Sequence, residues 1–174
     1  MAFLPIIVAP DPRLKQAAEP VAAVDDGLRR LADDMLDTMY AAPGIGLAAP
    51  QVGHSKRLIV ADVGPKDGPR QPHVLINPEI LWVSDDDNTA NEGCLSLPEH
   101  YADVVRPRAI RVAYLDRKGE RRQLEAEGLL ATCIQHEIDH LDGILFVDHI
   151  SALKRNMILR KLLKAKKAGA FETV

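Results

Sequence analysis

The chain has few of the features that mark secreted or membrane proteins. Only two of its 174 residues are cysteines, Cys94 and Cys133. No apolar run approaches the roughly 20 residues that a bilayer-spanning helix needs. The first residues carry neither a basic region nor a cleavage-site pattern. We therefore expect a cytoplasmic protein without a membrane segment, in a compartment that favours thiolate chemistry or metal binding over a disulfide between the two cysteines.

Internal repeats and low-complexity segments are also absent from the sequence. A content of 47% hydrophobic and 27% charged residues is ordinary for a soluble globular protein, and this length can bury a substantial core. We expect one domain spanning residues 1–174. The formal net charge of -3 argues against nucleic-acid binding by the chain as a whole.

Hydrophobic periodicity predicts helices and strands along most of the chain. The proline-rich opening predicts an extended arm with turns, because each proline fixes its own φ and restrains the residue before it. An amphipathic helix is predicted from Asp25, a plausible N-cap, to the Pro43-Gly44 stop, and residues 44–53 fit a loop. Runs rich in β-branched and large apolar residues predict strands of an antiparallel sheet at 57–62, 74–76 extending to 81–83, 109–115 and 121–126. Residues 85–88 fit a solvated acidic turn.

A metal-binding pattern lies in a further apolar helix predicted to begin at Gly128. His136 and His140 stand four residues apart, so on a helix both side chains leave from the same face and can hold one metal ion. Glu137 lies beside them as a candidate base. The alternative is a chance occurrence of the pattern. Phe146 stands where a metzincin protease would carry its third histidine, so the third ligand must come from elsewhere.

Cys94 is the natural third ligand, because a thiolate in a loop between strands binds borderline or soft divalent cations well. A Cys/His/His set leaves one position open for water, which is typical of catalytic rather than structural sites. Two alternatives stay open at this point. A zinc peptidase would take its third ligand from a downstream glutamate, for which only Glu172 is present, and a structural site would need a fourth ligand such as His149.

Three segments together resemble the motifs of the peptide deformylases, in family order and spacing. They are Gly44-Ile45-Gly46-Leu47-Ala48-Ala49-Pro50-Gln51, Glu92-Gly93-Cys94-Leu95-Ser96 and His136-Glu137-Ile138-Asp139-His140. The resemblance implies an α+β fold in which the metal-binding helix packs against mixed, mainly antiparallel β-sheets, with a C-terminal helix. It also implies hydrolytic removal of the formyl group from formylmethionine on newly made proteins. One divalent metal per chain is expected, iron(II) as the native ion, with zinc, nickel or cobalt accepted.

Roles for individual residues follow from chemistry and from this resemblance. Glu137 is expected to move the proton of the attacking water. By resemblance, the Gln51 side-chain amide and the Leu95 backbone N–H are expected to stabilise the developing oxyanion. A pair of Glu92 with Arg106 is expected to hold the Cys94 loop from behind the metal ligands.

Substrate contacts are expected on both sides of the ligands. Leu129 and Cys133 precede His136 on the ligand face and predict one wall of a methionine pocket, with Ile45 opposite. The peptide backbone is expected to pair in extended form with Ile45, Gly46 and Gly93. Tyr101 stands where some family members carry arginine, which separates this chain from them at the mouth of the site.

The final predicted helix, residues 151–168, is basic along its length. It carries no acidic residue and the cations Lys154, Arg155, Arg160, Lys161, Lys164, Lys166 and Lys167. A solvated face is one interpretation and a contact with RNA or an acidic partner is the other. The resemblance to bacterial members whose C-terminal helix docks on the ribosome favours the partner contact.

Overall fold

Helices and antiparallel strands follow one another in the predicted α+β arrangement. The computed structural model describes residues 2–171. In chain order its elements are α1 (Asp26–Ala41), β1 (Gly46–Ala48), β2 (Leu58–Ala61), β3 (His73–Val83), β4 (Asp87–Cys94), β5 (Leu97–Pro107), β6 (Ala109–Leu115), β7 (Arg121–Glu127), α2 (Gly128–Leu141) and α3 (Ala152–Lys167). Within this described part, no helix is both long and apolar enough to span a bilayer. Both cysteines are free thiols.

Two sheets form from these seven strands. Five strands pair in the order β1-β2-β3-β6-β7, and β4 pairs with β5 in a separate long hairpin. Every strand pair is antiparallel, and the parallel contact found within residues 2–171 is the isolated bridge between Glu19 and Lys56. The predicted fold class is thereby confirmed. Because β1 and β7 have neighbours on one side only, they are the edges of the larger sheet.

Alternation along the strands sends successive side chains to opposite faces of the large sheet. Ile59 and Leu75 pack with α2, whereas Leu58, Val60 and Ile76 pack with α1. The two helices therefore cover opposite faces of the same strands. The period of two within β2 decides which core each residue joins.

Helix α2 begins at Gly128, as predicted, and buries an apolar stripe made of Ala131, Ile134, Ile138 and Leu141. Each of the larger side chains stabilises the fold by about 1.5–3 kcal/mol when removed from water. Arg57 anchors the end of the helix, where its Nη1 donates to the Leu141 carbonyl at 3.0 Å. The ligand-bearing helix is thus held by its packing and by a capped C-terminus.

The N-terminal arm is extended with a single 3-10 turn at Pro12–Lys15, in agreement with the prediction. Its backbone N–H groups donate to three distant segments: Ile7 to the Gln51 carbonyl at 2.7 Å, Ala9 to Ser96 at 2.8 Å and Ala18 to Leu141 at 2.8 Å. These acceptors lie in or beside the three motif segments. The arm therefore connects all three by backbone hydrogen bonds.

The helix boundaries agree closely with the sequence patterns. Asp25 caps α1, accepting from Leu28 N at 2.8 Å, and Ser151 caps α3, accepting from Lys154 N at 3.2 Å. The predicted acidic turn at residues 85–88 is wrong in part, because Asp87 begins β4. Residues 46–48, interpreted as loop, form the short strand β1 through pairing with β2.

Gly143, just after α2, has the left-handed φ of +74°, and a Cβ there would meet the Lys15 carbonyl oxygen at 2.5 Å. We expect Gly143→Ala to lower the free energy of unfolding by about 2–5 kcal/mol, because left-handed strain and overpacking act together. Gly169→Ala is the matched control, since its φ is +77° and nothing lies within 4 Å of the added Cβ. Urea unfolding monitored by circular dichroism measures both, and equal losses would contradict the clash with the arm.

Candidate active site

Three metal-ligating side chains converge between α2 and the β4–β5 hairpin. His136 and His140 lie one turn apart on α2, and Cys94 ends β4 at a register shift of the hairpin. The Cys94 Sγ lies 3.3 Å from His140 Nε2, which lies 3.3 Å from His136 Nε2. All three ligand atoms fall within 4.8 Å of one another. This is the predicted ligand set, assembled from two separate elements.

The residues present fit a single divalent cation. Sulfur and imidazole nitrogen suit borderline metals such as iron(II) or zinc. Glu137 Oε1 is buried beside the ligands with no hydrogen-bond partner among residues 2–171. Burying an unpaired polar atom costs free energy unless a further ligand or a water binds it. His149 lies outside this group, because its Nε2 bonds Asp139 Oδ2 at 2.8 Å. A fourth protein ligand from His149 is therefore not supported, and Glu172 lies outside the described residues.

A buried ion-pair network holds His136, one of the three ligands, in its orientation. Arg106, which is 5% exposed, donates its Nε and Nη2 to the two carboxylate oxygens of Glu92 at 2.6 and 3.0 Å. Glu92 Oε1 also bonds His136 Nδ1 at 2.9 Å, which leaves His136 Nε2 turned to Cys94 and His140. The third donor of Arg106, Nη1, bonds Asp139 at 2.8 Å. The predicted Glu92–Arg106 pair thus exists and orients a ligand directly.

Burial and charge shift the pKa values in this site in opposite directions. Burial raises the pKa of Glu137 to about 7, near the value that a general base needs at neutral pH. Burial opposes the charge of Glu92 too, yet the hydrogen bonds from His136 and Arg106 lower its pKa to about 2. Burial and the neighbouring His136 lower the pKa of His140 well below its ordinary value. Glu92 is therefore an anion at neutral pH, whereas Glu137 can exchange a proton there.

Gln51 is held in place beside the ligand sulfur. Its Oε1 accepts from Ala48 N at 2.9 Å, and its Nε2 donates to Ser96 Oγ at 3.0 Å and to Cys94 Sγ at 3.4 Å. The side chain is 1% exposed, so its amide orientation is fixed by packing as well as by these bonds. A donor already positioned in this way costs no reorganisation when a charge develops nearby.

A cleft of about 720 Å³ opens over the ligands. Ile45 and Gly46 line it on one side, and Leu129 and Cys133 line it on α2, with Cys133 Sγ 3.4 Å from the Ile45 carbonyl oxygen. A Cβ at Gly46 would meet Glu137 Oε2 at 2.5 Å and Cys133 Sγ at 2.7 Å, so only glycine keeps this wall open. Leu129 is 55% exposed, so much of its side chain is open to solvent at the cleft.

The same cleft brings nearly all the predicted site residues together. Gly93, Cys94 and Leu95 line it from the hairpin, and Tyr101 lies across from Gly93 in the β4–β5 pairing. Their proposed roles in binding and catalysis stay predictions. Phe146, in the metzincin histidine position, stacks on the His136 ring with centroids 6.2 Å apart.

Three residues that contact the site or line the cleft were not predicted from the sequence. Asp139 joins the Arg106 network, Ser96 holds Gln51, and Thr132 lines the cleft on α2. Asp139 and Thr132 could have been found, since they stand three residues after and four before His136 on the same helix. Ser96 could not, because its partner is distant in sequence.

Arg106 and Arg108 make a matched test of the buried network, because each bridges two carboxylates but Arg108 is 45% exposed. We expect Arg106→Leu to lower the free energy of unfolding by about 3–5 kcal/mol, because it leaves buried charges unpaired. Arg108→Leu should lower it far less, because exposed ion pairs contribute little to stability. Urea unfolding at neutral pH measures both, and similar losses would contradict a structural role for the buried pair.

The same network predicts a pH dependence. Because the folded state lowers the pKa of Glu92 from 4.5 to about 2, its contribution to stability is complete above pH 4.5 and is lost as the pH falls towards 2. The difference in unfolding free energy between wild type and Arg106→Leu should therefore shrink over this interval. A difference that stays constant down to pH 2 would contradict this assignment.

Comparison with known proteins agrees with this geometry. A sequence model of the polypeptide deformylase family matches residues 3–156. A curated peptide deformylase of Rhizobium meliloti is 56% identical over 174 residues, covering 100% of both chains. Two peptide deformylase crystal structures share the fold. The one from Legionella pneumophila is 47% identical with a TM-score of 0.89, and the match covers 99% of this chain and 100% of that chain. The one from Ehrlichia chaffeensis in complex with actinonin is 42% identical with a TM-score of 0.90, and the match covers 94% of this chain and 98% of that chain. These matches confirm the sequence-based prediction of a deformylase enzyme with an α+β fold: the chain belongs to the polypeptide deformylase family.

Proposed function

We propose that this chain hydrolyses the N-formyl group of formylmethionyl peptides and releases formate. The observation that carries the proposal is the convergence of Cys94, His136 and His140 beside a buried glutamate, at the floor of a cleft bordered by an open sheet edge. Family membership supports the same reaction. We further propose iron(II) as the native metal, with zinc, nickel or cobalt able to replace it.

The residues around the ligands supply the proton transfers. A divalent cation held by the three ligands would contribute Lewis acidity and increase the acidity of a water molecule. Glu137 accepts a proton from the water whose oxygen bonds to the formyl carbon. As the C–N bond breaks, Glu137 returns this proton to the leaving amine, which yields formate and a free N-terminus. Its raised pKa of about 7 suits both the accepting and the donating step.

Negative charge on the formyl oxygen requires donors that are in place before reaction. We assign this role to the Gln51 side-chain amide, whose Nε2 lies 3.4 Å from the ligand Cys94 Sγ, and to the Leu95 backbone N–H in the following turn. Preorganised donors in a site that excludes water stabilise such a charge more than water can.

The peptide itself fits the free edge of β1. This strand pairs with β2 on one side only, so we propose that backbone groups of Gly46 and of the preceding Ile45, whose carbonyl already accepts from Asp62 N at 2.8 Å, pair with an added extended chain. Gly93 lines the opposite side of the cleft. The methionine side chain then enters the space between Leu129, Cys133 and Ile45.

This pocket predicts a strong preference for methionine. We expect kcat/KM for formyl-Met-Ala-amide to exceed that for formyl-Ala-Ala-amide by about tenfold or more, because several methylenes are buried at roughly 0.8 kcal/mol each, and formyl-Asp-Ala-amide to be slower still because its charge loses water. Formate release by the metal-loaded enzyme is the measurement. Equal values for the three peptides would refute the pocket, and no formate from any peptide would refute the function.

Substitutions can separate base from ligand. We expect Glu137→Gln to retain near-stoichiometric metal while kcat falls by about 10²- to 10⁴-fold, the usual contribution of a general base. Cys94→Ala should instead lose the metal, because one of three ligands is gone. Metal analysis and formate release test both variants after anaerobic purification. A Glu137→Gln protein that keeps most of its turnover, or a Cys94→Ala protein with tightly bound metal and full activity, would contradict these roles.

We also propose that the C-terminal helix binds the ribosome, in the cytoplasm, where formylated chains are made. Leu162 is its buried residue and packs in the core with Phe146, whereas Lys154, Arg160, Lys161 and Lys164 are exposed. Truncation from Lys154 would uncover that core, so Lys161→Glu/Lys164→Glu is the cleaner variant. Its co-sedimentation with ribosomes at low salt should fall relative to wild type, and unchanged binding would favour a merely solvated helix.

The extent of the catalytic unit is part of the same proposal. We propose that residues 1–174 form a single catalytic domain, because the arm, both sheets and α2 share hydrogen bonds around one site. Limited proteolysis should then give no stable fragment that lacks either the arm or α2.

A further inference from the structure

A side pocket of about 270 Å³ adjoins the outer end of the cleft. Pro43, Gly44, Ile45 and Lys66 line both cavities, so the two are continuous along the chain segment that precedes β1. The walls that belong to the side pocket alone include Tyr40 at the end of α1 and Arg70 in the loop after β2.

A peptide bound along the segment before β1 would extend towards this side pocket. A Cβ at Gly46 would meet Glu137 beside the ligands, whereas Pro43 also lines the side pocket, so from Pro43 to Gly46 the chain runs towards the ligands. A peptide whose formyl end lies at the ligands and whose body leaves along this segment would therefore run antiparallel to it. An extended chain advances about 3.3 Å per residue. The third or fourth residue of the peptide therefore reaches the segment at Pro43 and Gly44, beside Lys66.

The charged groups of the side pocket are two cations and one carboxylate. Arg70 is exposed and lies over the Tyr40 ring, with its Cζ 3.9 Å from the centroid, and Lys66 is exposed in the same loop. Within residues 2–171 neither cation has a carboxylate at ion-pair distance, although Asp67 follows Lys66 directly. Both cations are thus available to an incoming anion.

The pocket's own carboxylate, Asp62, is already engaged. Its Oδ2 accepts from Tyr40 Oη at 2.7 Å and from Gln71 N at 2.9 Å, and its Oδ1 accepts from Gly64 N at 2.9 Å. These bonds hold the loop and the Tyr40 ring on which Arg70 lies. The main cleft is lined from β5 by Glu99 and His100. Lys66 and Arg70 are the lysine and the arginine among the residues that line the two cavities.

We propose that Lys66 and Arg70 form a specificity site for a carboxylate, which selects peptides with an acidic side chain at the third or fourth residue. This inference rests on the proposed function and deepens it. Guanidinium and ammonium groups recognise carboxylates through charge-assisted hydrogen bonds, and the Tyr40 ring limits where the guanidinium can lie. The site acts on substrate selection and leaves the reacting atoms to the residues around the metal ligands.

The test compares amidated peptides, so that no terminal carboxylate competes. In formyl-Met-Ala-X-Ala-amide and formyl-Met-Ala-Ala-X-amide, X is Asp or Asn, and formate release gives the Asp/Asn ratio of kcat/KM. We expect a ratio of about 2–5 at low salt at one of the two positions, the range for an exposed ion pair, falling towards 1 at high salt. This ratio tests the preference for an acidic residue with the wild-type protein alone.

A charge-matched pair of variants locates the effect. Lys66→Gln/Arg70→Gln should bring the ratio to about 1, whereas Lys118→Gln/Arg121→Gln, which removes two exposed cations from the β6–β7 hairpin, should keep the wild-type ratio. A wild-type ratio of 1 at both positions, or a preference that survives in Lys66→Gln/Arg70→Gln, would overturn the proposal. Formate release from the Asn peptides with a ratio of 1 would leave the proposed function standing, whereas no formate from any peptide would remove both.

Discussion

The buried pairing of Glu92 with Arg106 and His136 is the interaction on which the site depends. Removing charged groups from water is costly, so a buried carboxylate must be matched by fixed donors. Glu92 accepts two hydrogen bonds from Arg106 and one from His136 Nδ1, and Arg106 also donates to Asp139 of α2. The hairpin is not part of the five-stranded sheet, and this network attaches it to the helix. Cys94, two residues after Glu92, is thereby placed against the histidines.

The N-terminal arm adds a second constraint of a different kind. Its N–H groups donate to the carbonyls of Gln51, Ser96 and Leu141, so one extended segment joins the segment that carries Gln51, the turn after Cys94 and the end of α2. Gly143 lets the arm pass close to the chain after α2, since any side chain there would meet the Lys15 carbonyl. Backbone bonds of this type do not depend on side-chain identity. The sequence of the arm therefore contains no motif that indicates its role, although the arm supports all three motif segments.

Local patterns predicted those elements whose side chains divide clearly between core and solvent. Helix α1 has a cap at Asp25 and apolar residues at helical spacing, and both features reappear in the structure. Strand β4 escaped prediction because only Glu92 among its eight residues is fully buried, so it has no apolar alternation to detect. Strand β1 escaped because three residues become a strand only when β2 pairs with them. In both cases hydrogen bonding to a distant partner, rather than local propensity, decides the conformation.

By itself, the sequence determined the chemistry of the site. The four-residue spacing of His136 and His140 places both imidazoles on one helical face, and Cys94 is the natural thiolate to complete the set. Tertiary structure alone decided which distant groups meet: Cys94 with His140, Arg106 with Asp139, and Arg70 with Tyr40 above the outer cleft. The reason is physical. Spacing within a helix follows from its fixed geometry, whereas contacts between elements depend on strand register and on the packing of the whole core.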